Sequence, residues 1–193
     1  MSFGLEKYDQ DVQDAILRAC SKNIIMFSAA SNEGGNSGVK YPANRDEVIC
    51  VYSTDGMGNP SHFNPTKMDS EGYHFAILGE GIKSAWPKKL APSSAPKKLK
   101  QRMSGTSFAA PIAAGTAACI LEFALKNDMK KSHGDLYKVL RSRQGIHTVF
   151  KKLLATERKE YHYIHPSKLF DVGSRTTDPN RYIFDQIVDS MDV

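Results

Sequence analysis

Residues 104–111 read Ser-Gly-Thr-Ser-Phe-Ala-Ala-Pro, and they open a long apolar run that continues to Leu125. Alanine, glycine, isoleucine, leucine and phenylalanine dominate the run, which is typical of a helix buried along most of its surface. Gly105 permits close approach to the backbone, and Pro111 is expected near the first turn, where a missing N–H costs least. Ser107 is therefore a candidate nucleophile at the start of a rigid helix. The same serine also suits a purely structural N-cap.

The segments before this helix alternate between helical and extended patterns. Apolar residues recur at helical spacing over residues 8–21, and Asp9 is placed to cap that helix. The alternation predicts an α/β fold, in which a layered parallel sheet is flanked by helices. Polar loops that leave the carboxyl ends of such strands commonly form active sites, and Asn32 lies in one of them. Asparagine is also an ordinary turn residue. Three apolar runs are predicted as buried strands: residues 23–30, 48–53 and 73–78.

Beyond the long apolar run, the sequence is less informative. A further helix is predicted at residues 134–143, and no clear period is visible from about Thr156 onward. We therefore expect a domain over residues 1–154 and a C-terminal extension of uncertain structure over residues 155–193.

Basic residues are concentrated in one stretch. Lysine and arginine are frequent between Gly81 and Gly105, and no acidic residue lies there. Interleaved prolines and serines indicate an exposed, extended insertion at about residues 83–102. A nucleic-acid patch is the alternative, but Trp86 is the sole aromatic residue nearby, so no nucleic-acid partner is expected.

The composition favours a globular protein without a membrane span. The chain has 193 residues, 40% of them hydrophobic, and it has neither a long uncharged apolar stretch nor a secretion signal. Its cysteines, Cys20, Cys50 and Cys119, are odd in number and form no CxxC pair, which favours buried free thiols and weakly favours the cytoplasm. The localisation stays open, because a preceding segment could carry a signal.

Several motifs occur in one order along the first two thirds of the chain. The string Gly-Thr-Ser-x-Ala-x-Pro around Ser107 resembles the serine motif of subtilisin-like serine peptidases. Residues 29–34, Ala-Ala-Ser-Asn-Glu-Gly, resemble that family's Ala-Ala-Gly-Asn-Glu-Gly segment, with Ser31 where the family has glycine. Residues 2–4 are similar to its Ser-Leu-Gly segment, and residues 41–43 to its Tyr-Pro-Ala segment. The chain is thus identified as the C-terminal part of a subtilisin-like catalytic domain, whose sheet would be incomplete at the N-terminus.

The resemblance implies an acyl-enzyme mechanism of peptide-bond hydrolysis. Ser107 would be the nucleophile, while the Asn32 amide and the Ser107 N–H would bind the oxyanion. A polypeptide would be the substrate, and neither a cofactor nor a metal site is implied. The oligomeric state is left open. Further residues would line the substrate cleft: Ser2, Phe3, Gly4, Ala29, Ala30 and Ser31.

Two members of the catalytic triad have no match in this sequence. In subtilisins the aspartate and the histidine precede the serine, and both lie upstream of the Ser-Leu-Gly segment. His133 and Asp171 follow Ser107 and match the family motifs only superficially. We therefore expect a serine endopeptidase fragment with little activity alone. The alternative is a non-catalytic pseudo-peptidase that binds extended peptides by strand addition.

Overall fold

The computed structural model describes residues 1–68, 72–87, 100–158 and 160–191, and it has a mixed sheet at its centre. The described strands are β1 (Phe27–Ala29), β2 (Ile49–Thr54), β3 (His74–Leu78), β4 (Ile82–Ala85), β5 (Lys100–Met103), β6 (Ala155–Arg158) and β7 (Tyr161–Ile164). Five of them form the central sheet in the order β1-β2-β3-β7-β6. Strands β1, β2, β3 and β7 are parallel, and β6 runs antiparallel to β7. Strands β4 and β5 pair separately as an antiparallel ribbon.

Along the chain, helices occur before the first strand, between strands and after the last strand. A π-helical turn at Phe150–Leu154 leads into β6, and a short 3₁₀ turn lies at Gly173–Arg175. The α-helices are α1 (Gln10–Ser21), α2 (Thr106–Lys126), α3 (Met129–Ser132), α4 (Gly134–Leu140), α5 (Arg143–Val149), α6 (Ser167–Phe170) and α7 (Pro179–Met191).

Helix α2 is the central element of the core. Small and branched side chains recur every three or four residues along one face, so that face can lie close to the sheet. It packs on β1, β2 and β3. Among the described residues, α2 is the one helix that is long and apolar enough to span a membrane, by length and composition alone. Its buried face, however, belongs to the protein core. The buried residues of this face include Ala109, Ala113, Ala117, Ile120 and Ala124.

The two faces of the sheet bury different side chains because successive strand residues point in opposite directions. Val51 and Phe75 face α2 in the main cluster, whereas Tyr52 and Ala76 belong to a second, smaller cluster. Beyond β1, the Met1 ammonium donates to the Phe27 carbonyl, and the Met1 carbonyl accepts from the Ala29 N–H at 3.0 Å. Residues 2–4 therefore leave the sheet at the same edge as the loop after β1.

The predicted elements of the first half are confirmed with small shifts. The structure contains α1 with the Asp9 carboxylate accepting from the Val12 N–H at 3.0 Å, and it contains the three predicted strands. The predicted strand at 23–30 is shortened to Phe27–Ala29. The α/β fold class is thus confirmed.

Two helix predictions were wrong in detail. Helix α2 begins at Thr106, so Pro111 lies inside the helix and not near its first turn. The helix predicted at residues 134–143 ends at Leu140, because the Ser142 hydroxyl caps a new helix by accepting from the Gly145 N–H at 3.1 Å.

The predicted insertion and extension contain regular structure. Both described arms of the basic insertion form the exposed β4-β5 ribbon, and residues 88–99 lie outside the described part of the chain. In the extension, β7 pairs with β3 through Tyr163 and Ala76, and α7 contributes Ile183 and Ile187 to the main core. The segment after residue 154 therefore completes the sheet and the core. The domain boundary at residue 154 stays a prediction.

His147 should make the stability of this core depend on pH. Burial lowers the pKa of His147 from 6.5 to about 4, with smaller contributions from Lys151 and His162. The unfolded chain binds this proton at a higher pH than the folded chain, so the free energy of unfolding should decline as the pH falls from 6.5 towards 4. Urea unfolding of His147→Gln should show a shallower decline.

His62→Gln is the matched control, because it removes a histidine whose side chain is exposed. It should keep the wild-type pH dependence. An equally steep decline in His147→Gln and in the wild type would contradict this assignment.

Candidate active site

Asn32 caps helix α2 from another part of the chain. The N-cap residue Gly105 has no side chain, so it cannot satisfy the free N–H groups of the first turn. Instead, the Asn32 Oδ1 accepts from the Thr106 N–H at 2.8 Å and from the Thr106 Oγ1 at 3.0 Å. These two bonds fix the amide orientation, since Oδ1 must face the fully buried Thr106. The Nδ2 group is left with no hydrogen-bond partner among the described residues.

Gly105 leaves the space that the Asn32 amide occupies. A Cβ at this position would lie 3.2 Å from the Asn32 Nδ2, and the backbone φ of +154° disfavours other residues. The Gly105 N–H donates to the Gly79 carbonyl at 2.9 Å, which ties the start of α2 to the loop after β3. The amide, Gly105 and the loop thus form one rigid unit at the carboxyl edge of the sheet.

Ser107 lies in the first turn of α2, half-buried. Its N–H donates to no residue in the described part of the chain. The aligned peptide dipoles of a long helix place a partial positive charge at this end. A free N–H, an oriented Asn32 amide and a helix N-terminus together form a cluster of donors that suits a developing negative charge.

Ser2 and Ser107 exchange two hydrogen bonds. The Ser107 Oγ donates to the Ser2 carbonyl at 3.2 Å, and the Ser2 Oγ donates to the Ser107 carbonyl at 3.0 Å. The Ser107 carbonyl is available because Pro111, four residues further on, has no N–H to complete the helical bond. The proline inside α2 thus provides the acceptor that ties residues 2–4 to the helix.

A pocket of about 260 Å³ opens beside Ser107, and we call it the Ser107 pocket. Ala30 was expected in the cleft, but it is fully buried in the second core cluster and is not part of the pocket lining. Sequence reasoning missed four lining residues: Glu33 and Thr106 lie inside the quoted motifs without being singled out, and Glu6 and Lys40 lie outside them. Of the expected residues, the lining includes Ser2, Phe3, Gly4, Ala29, Ser31, Asn32 and Ser107; the missed ones are Glu6, Glu33, Lys40 and Thr106.

Three charged side chains meet in the wall of the Ser107 pocket. The Lys40 Nζ lies 2.8 Å from a carboxylate oxygen of Glu6 and 2.8 Å from one of Glu33. The hydrogen bond from Lys40, followed by that from the Ser37 hydroxyl, lowers the pKa of Glu33. The hydrogen bond to Glu33, followed by that to Glu6, raises the pKa of Lys40. Glu33 and Lys40 are therefore charged at neutral pH.

Ser31 adopts a backbone conformation that favours glycine. Its φ is +151°, and it stands at the position where the family motif has glycine. Holding a side chain in this region costs of order 1–3 kcal/mol. The strain lies directly before Asn32, so the sequence departure affects the loop that presents the amide.

No histidine lines the Ser107 pocket among the described residues. His133 and Asp171 flank short helices elsewhere in the chain. Within the described ranges, no three His, Cys, Asp or Glu side chains are grouped so that they could hold a metal ion.

Comparison with protein families matches residues 1–160 to the model described as "Subtilase family". The chain belongs to the subtilase family. This membership supports serine peptidase chemistry at the level of the family. A subtilisin-like protease het-Q2 of Podospora anserina is 29% identical over 123 residues, which are 63% of this chain and 32% of that protein. Thermitase of Thermoactinomyces vulgaris is 30% identical over 120 residues, or 62% of this chain and 38% of that protein.

Solved subtilase-like structures share the fold. The prenylagaramide maturation protease PagA has a TM-score of 0.66 at 20% identity, covering 100% of this chain and 61% of that one. The patellamide maturation protease PatA has a TM-score of 0.65 at 21% identity, covering 98% and 62%. The chain thus spans 32% and 38% of the two curated subtilases and about three fifths of these structures.

Removing the Ser2 hydroxyl should weaken the link between residues 2–4 and α2. Ser2→Ala should lower the free energy of unfolding by about 1 kcal/mol, the usual worth of one hydrogen bond. In a Pro111→Ala background, the N–H restored at position 111 competes for the Ser107 carbonyl, so the effect of Ser2→Ala should shrink. A urea double-mutant cycle measures this coupling.

The matched control is Ser21→Ala, which removes a similar bond from the Ser21 hydroxyl to the Arg18 carbonyl at 2.9 Å. Its effect should be the same with and without Pro111. Full additivity of Ser2→Ala and Pro111→Ala would refute the link.

Relieving the backbone strain at Ser31 should stabilise the chain. Ser31→Gly should raise the free energy of unfolding by about 1 kcal/mol, because glycine adopts this φ without steric cost. Asn23→Gly is the control: Asn23 has a φ of +54°, which asparagine tolerates, so little change is expected there. A loss of stability in Ser31→Gly would show that the Ser31 side chain supports the loop.

Proposed function

We propose that this chain carries the nucleophile and the oxyanion-binding groups of a subtilisin-like serine endopeptidase. The observation that supports this most strongly is the pairing of the Asn32 Oδ1 with the Thr106 N–H at 2.8 Å, which leaves the Asn32 Nδ2 free beside the N-terminus of α2. The substrate would be an extended polypeptide held along residues 2–4. Its scissile carbonyl would lie between Ser107 and the Asn32 amide.

The proposed reaction begins with attack of the Ser107 Oγ on this carbonyl. As the tetrahedral intermediate forms, its oxygen gains negative charge, which the Asn32 Nδ2 and the Ser107 N–H would stabilise by hydrogen bonds. Collapse of the intermediate breaks the peptide bond and leaves an acyl group on Ser107, which water then hydrolyses. Because both donors are held before the substrate arrives, little reorganisation is needed.

The proton of the Ser107 hydroxyl needs a base. In the structure this hydroxyl donates to the Ser2 carbonyl, which cannot accept the proton. A histidine oriented by an aspartate would have to replace the Ser2 carbonyl as the partner of Ser107 during catalysis. In subtilisin itself, loss of the catalytic histidine costs about a millionfold in turnover, so the described residues alone would retain only weak catalysis.

The second candidate function is that of a pseudo-peptidase that binds extended peptides without cleaving them. The observation that favours it is the absence of a histidine from the Ser107 pocket among the described residues. In this case residues 2–4 would pair with a peptide by strand addition, and Ser107 would serve only as a hydrogen-bonding group.

The isolated chain should not react with a fluorophosphonate probe, because no described residue of the Ser107 pocket is a histidine that could accept the Ser107 proton. Mass spectrometry of the chain after exposure to the probe tests this. Ser107→Ala is the control for reaction at other residues. Labelling of Ser107 in the isolated chain would mean that a base is present within residues 1–193, which would contradict the proposed arrangement.

The two candidate functions differ in what the genomic DNA directly before Met1 should encode. The peptidase proposal expects in-frame Asp-Thr-Gly and His-Gly-Thr-His segments there. The protein made from the joined reading frame should hydrolyse peptides, and Ser107→Ala should abolish that activity. Asn32→Ala should reduce kcat by roughly 100- to 1,000-fold, the loss known from subtilisin itself. Peptide binding without hydrolysis in the joined protein would favour the pseudo-peptidase.

A further inference from the structure

The charges in the wall of the Ser107 pocket do not balance. Lys40 contributes one positive charge, while Glu6 and Glu33 contribute two negative charges, and no further charged residue lines the pocket among the described residues. The pocket therefore has a net charge of about −1 at neutral pH. A second positive charge entering it would meet two carboxylates that share a single ammonium group.

Backbone hydrogen bonds hold Lys40 in the wall of the Ser107 pocket. Its N–H donates to the Ala30 carbonyl at 3.0 Å, and the next residue, Tyr41, accepts from the Leu5 N–H at 2.7 Å. The Lys40 side chain is only 17% exposed. A Cβ at Gly4 would lie 2.8 Å from the Lys40 Cβ, so the Lys40 side chain can occupy this position only because Gly4 has no side chain. Lys40 is thus a fixed part of the wall.

The two carboxylates differ in how firmly they are held. The Glu33 Oε2 accepts both from Lys40 and from the Ser37 hydroxyl at 2.9 Å, so its side chain is fixed. Within the described ranges, Glu6 has Lys40 as its one partner, through both of its oxygens at 2.8 Å, and its side chain is 76% exposed. Glu6 can therefore turn towards an incoming cation at low cost, while Glu33 supplies a constant negative field.

We propose that the Ser107 pocket selects a substrate side chain that carries a positive charge, that of arginine or lysine. This inference rests on the proposed function, because it assigns the pocket to the substrate residue next to the scissile bond. Arginine suits the pocket, since its planar guanidinium can bind a carboxylate through two parallel hydrogen bonds. An acidic side chain would find a single ammonium already paired with two carboxylates, so it should be disfavoured.

Peptide binding to the intact chain tests the selectivity without requiring catalysis. Fluorescently labelled tetrapeptides Ala-Ala-Ala-X, with arginine, citrulline or glutamate as X, are titrated with the chain by fluorescence anisotropy. Citrulline has nearly the shape of arginine but no charge. The arginine peptide should bind about fivefold more tightly than the citrulline peptide at low salt, the magnitude expected for a partly exposed ion pair. Sodium chloride should reduce this ratio.

Variants of the pocket should change the ratio in opposite directions. Glu33→Gln should lower the arginine-to-citrulline ratio to about twofold or less, and Lys40→Gln should raise it, because the remaining carboxylates lose their partner. The ion pair between Glu122 and Lys126 on α2 supplies matched controls with the same charge changes. Glu122→Gln and Lys126→Gln should leave the ratio unchanged.

The outcomes separate this inference from the proposed function. Equal binding of the arginine and citrulline peptides, or tighter binding of the glutamate peptide, would overturn the charge selectivity while leaving the substrate cleft in place. If none of the three peptides binds, the proposed cleft is wrong and the inference falls with it. A ratio that responds equally to the pocket variants and to the α2 controls would show a general effect of net charge and would also overturn the inference.

Discussion

The hydrogen bonds between Thr106 and the Asn32 side chain join two segments that are 74 residues apart in the chain. They satisfy the first N–H of α2, and they fix which atom of the amide faces the protein and which faces the cleft. The remaining geometry follows from this constraint. Gly105 must lack a side chain to admit the amide, and the loop after β1 has a φ of +151° at Ser31, directly before Asn32. The strain at Ser31 is thus the cost of placing Asn32 at a helix that begins with glycine.

A second link connects residues 2–4, the proposed substrate-binding segment, to the same helix. Pro111 removes one helical hydrogen bond, and the Ser2 hydroxyl occupies the carbonyl that is set free. In a helix interior this proline would usually be costly, because an acceptor is left unpaired. Here the acceptor has a partner from residues 2–4, so the proline couples α2 to the segment that would hold the substrate. The two links together hold Asn32, Ser2 and Ser107 at one edge of the sheet.

The sequence predicted the parts of this arrangement that depend on local pattern or on a motif. Periodicity located α1, β2 and β3, and the motif order located Ser107, Asn32 and residues 2–4 beside one pocket. Strands β6 and β7 were missed because they are only four residues long each, and charged residues such as Glu157 and Arg158 obscure their alternation. The ion pairs of Lys40 were missed for another reason: they join residues 6, 33 and 40, which become neighbours only when the loops pack.

The central claim is that the Asn32 Oδ1 fixes the start of α2 by accepting from Thr106, which leaves the Asn32 Nδ2 free to donate a hydrogen bond. Hydrogen exchange of the Thr106 N–H, measured by NMR in the intact chain, tests it most directly. Asn32→Asp keeps the acceptor oxygen, so the Thr106 N–H should stay protected, whereas Asn32→Ala removes the acceptor and should reduce the protection by about tenfold. Protection that is unchanged in Asn32→Ala would contradict the account, since it would mean that another group holds the start of α2.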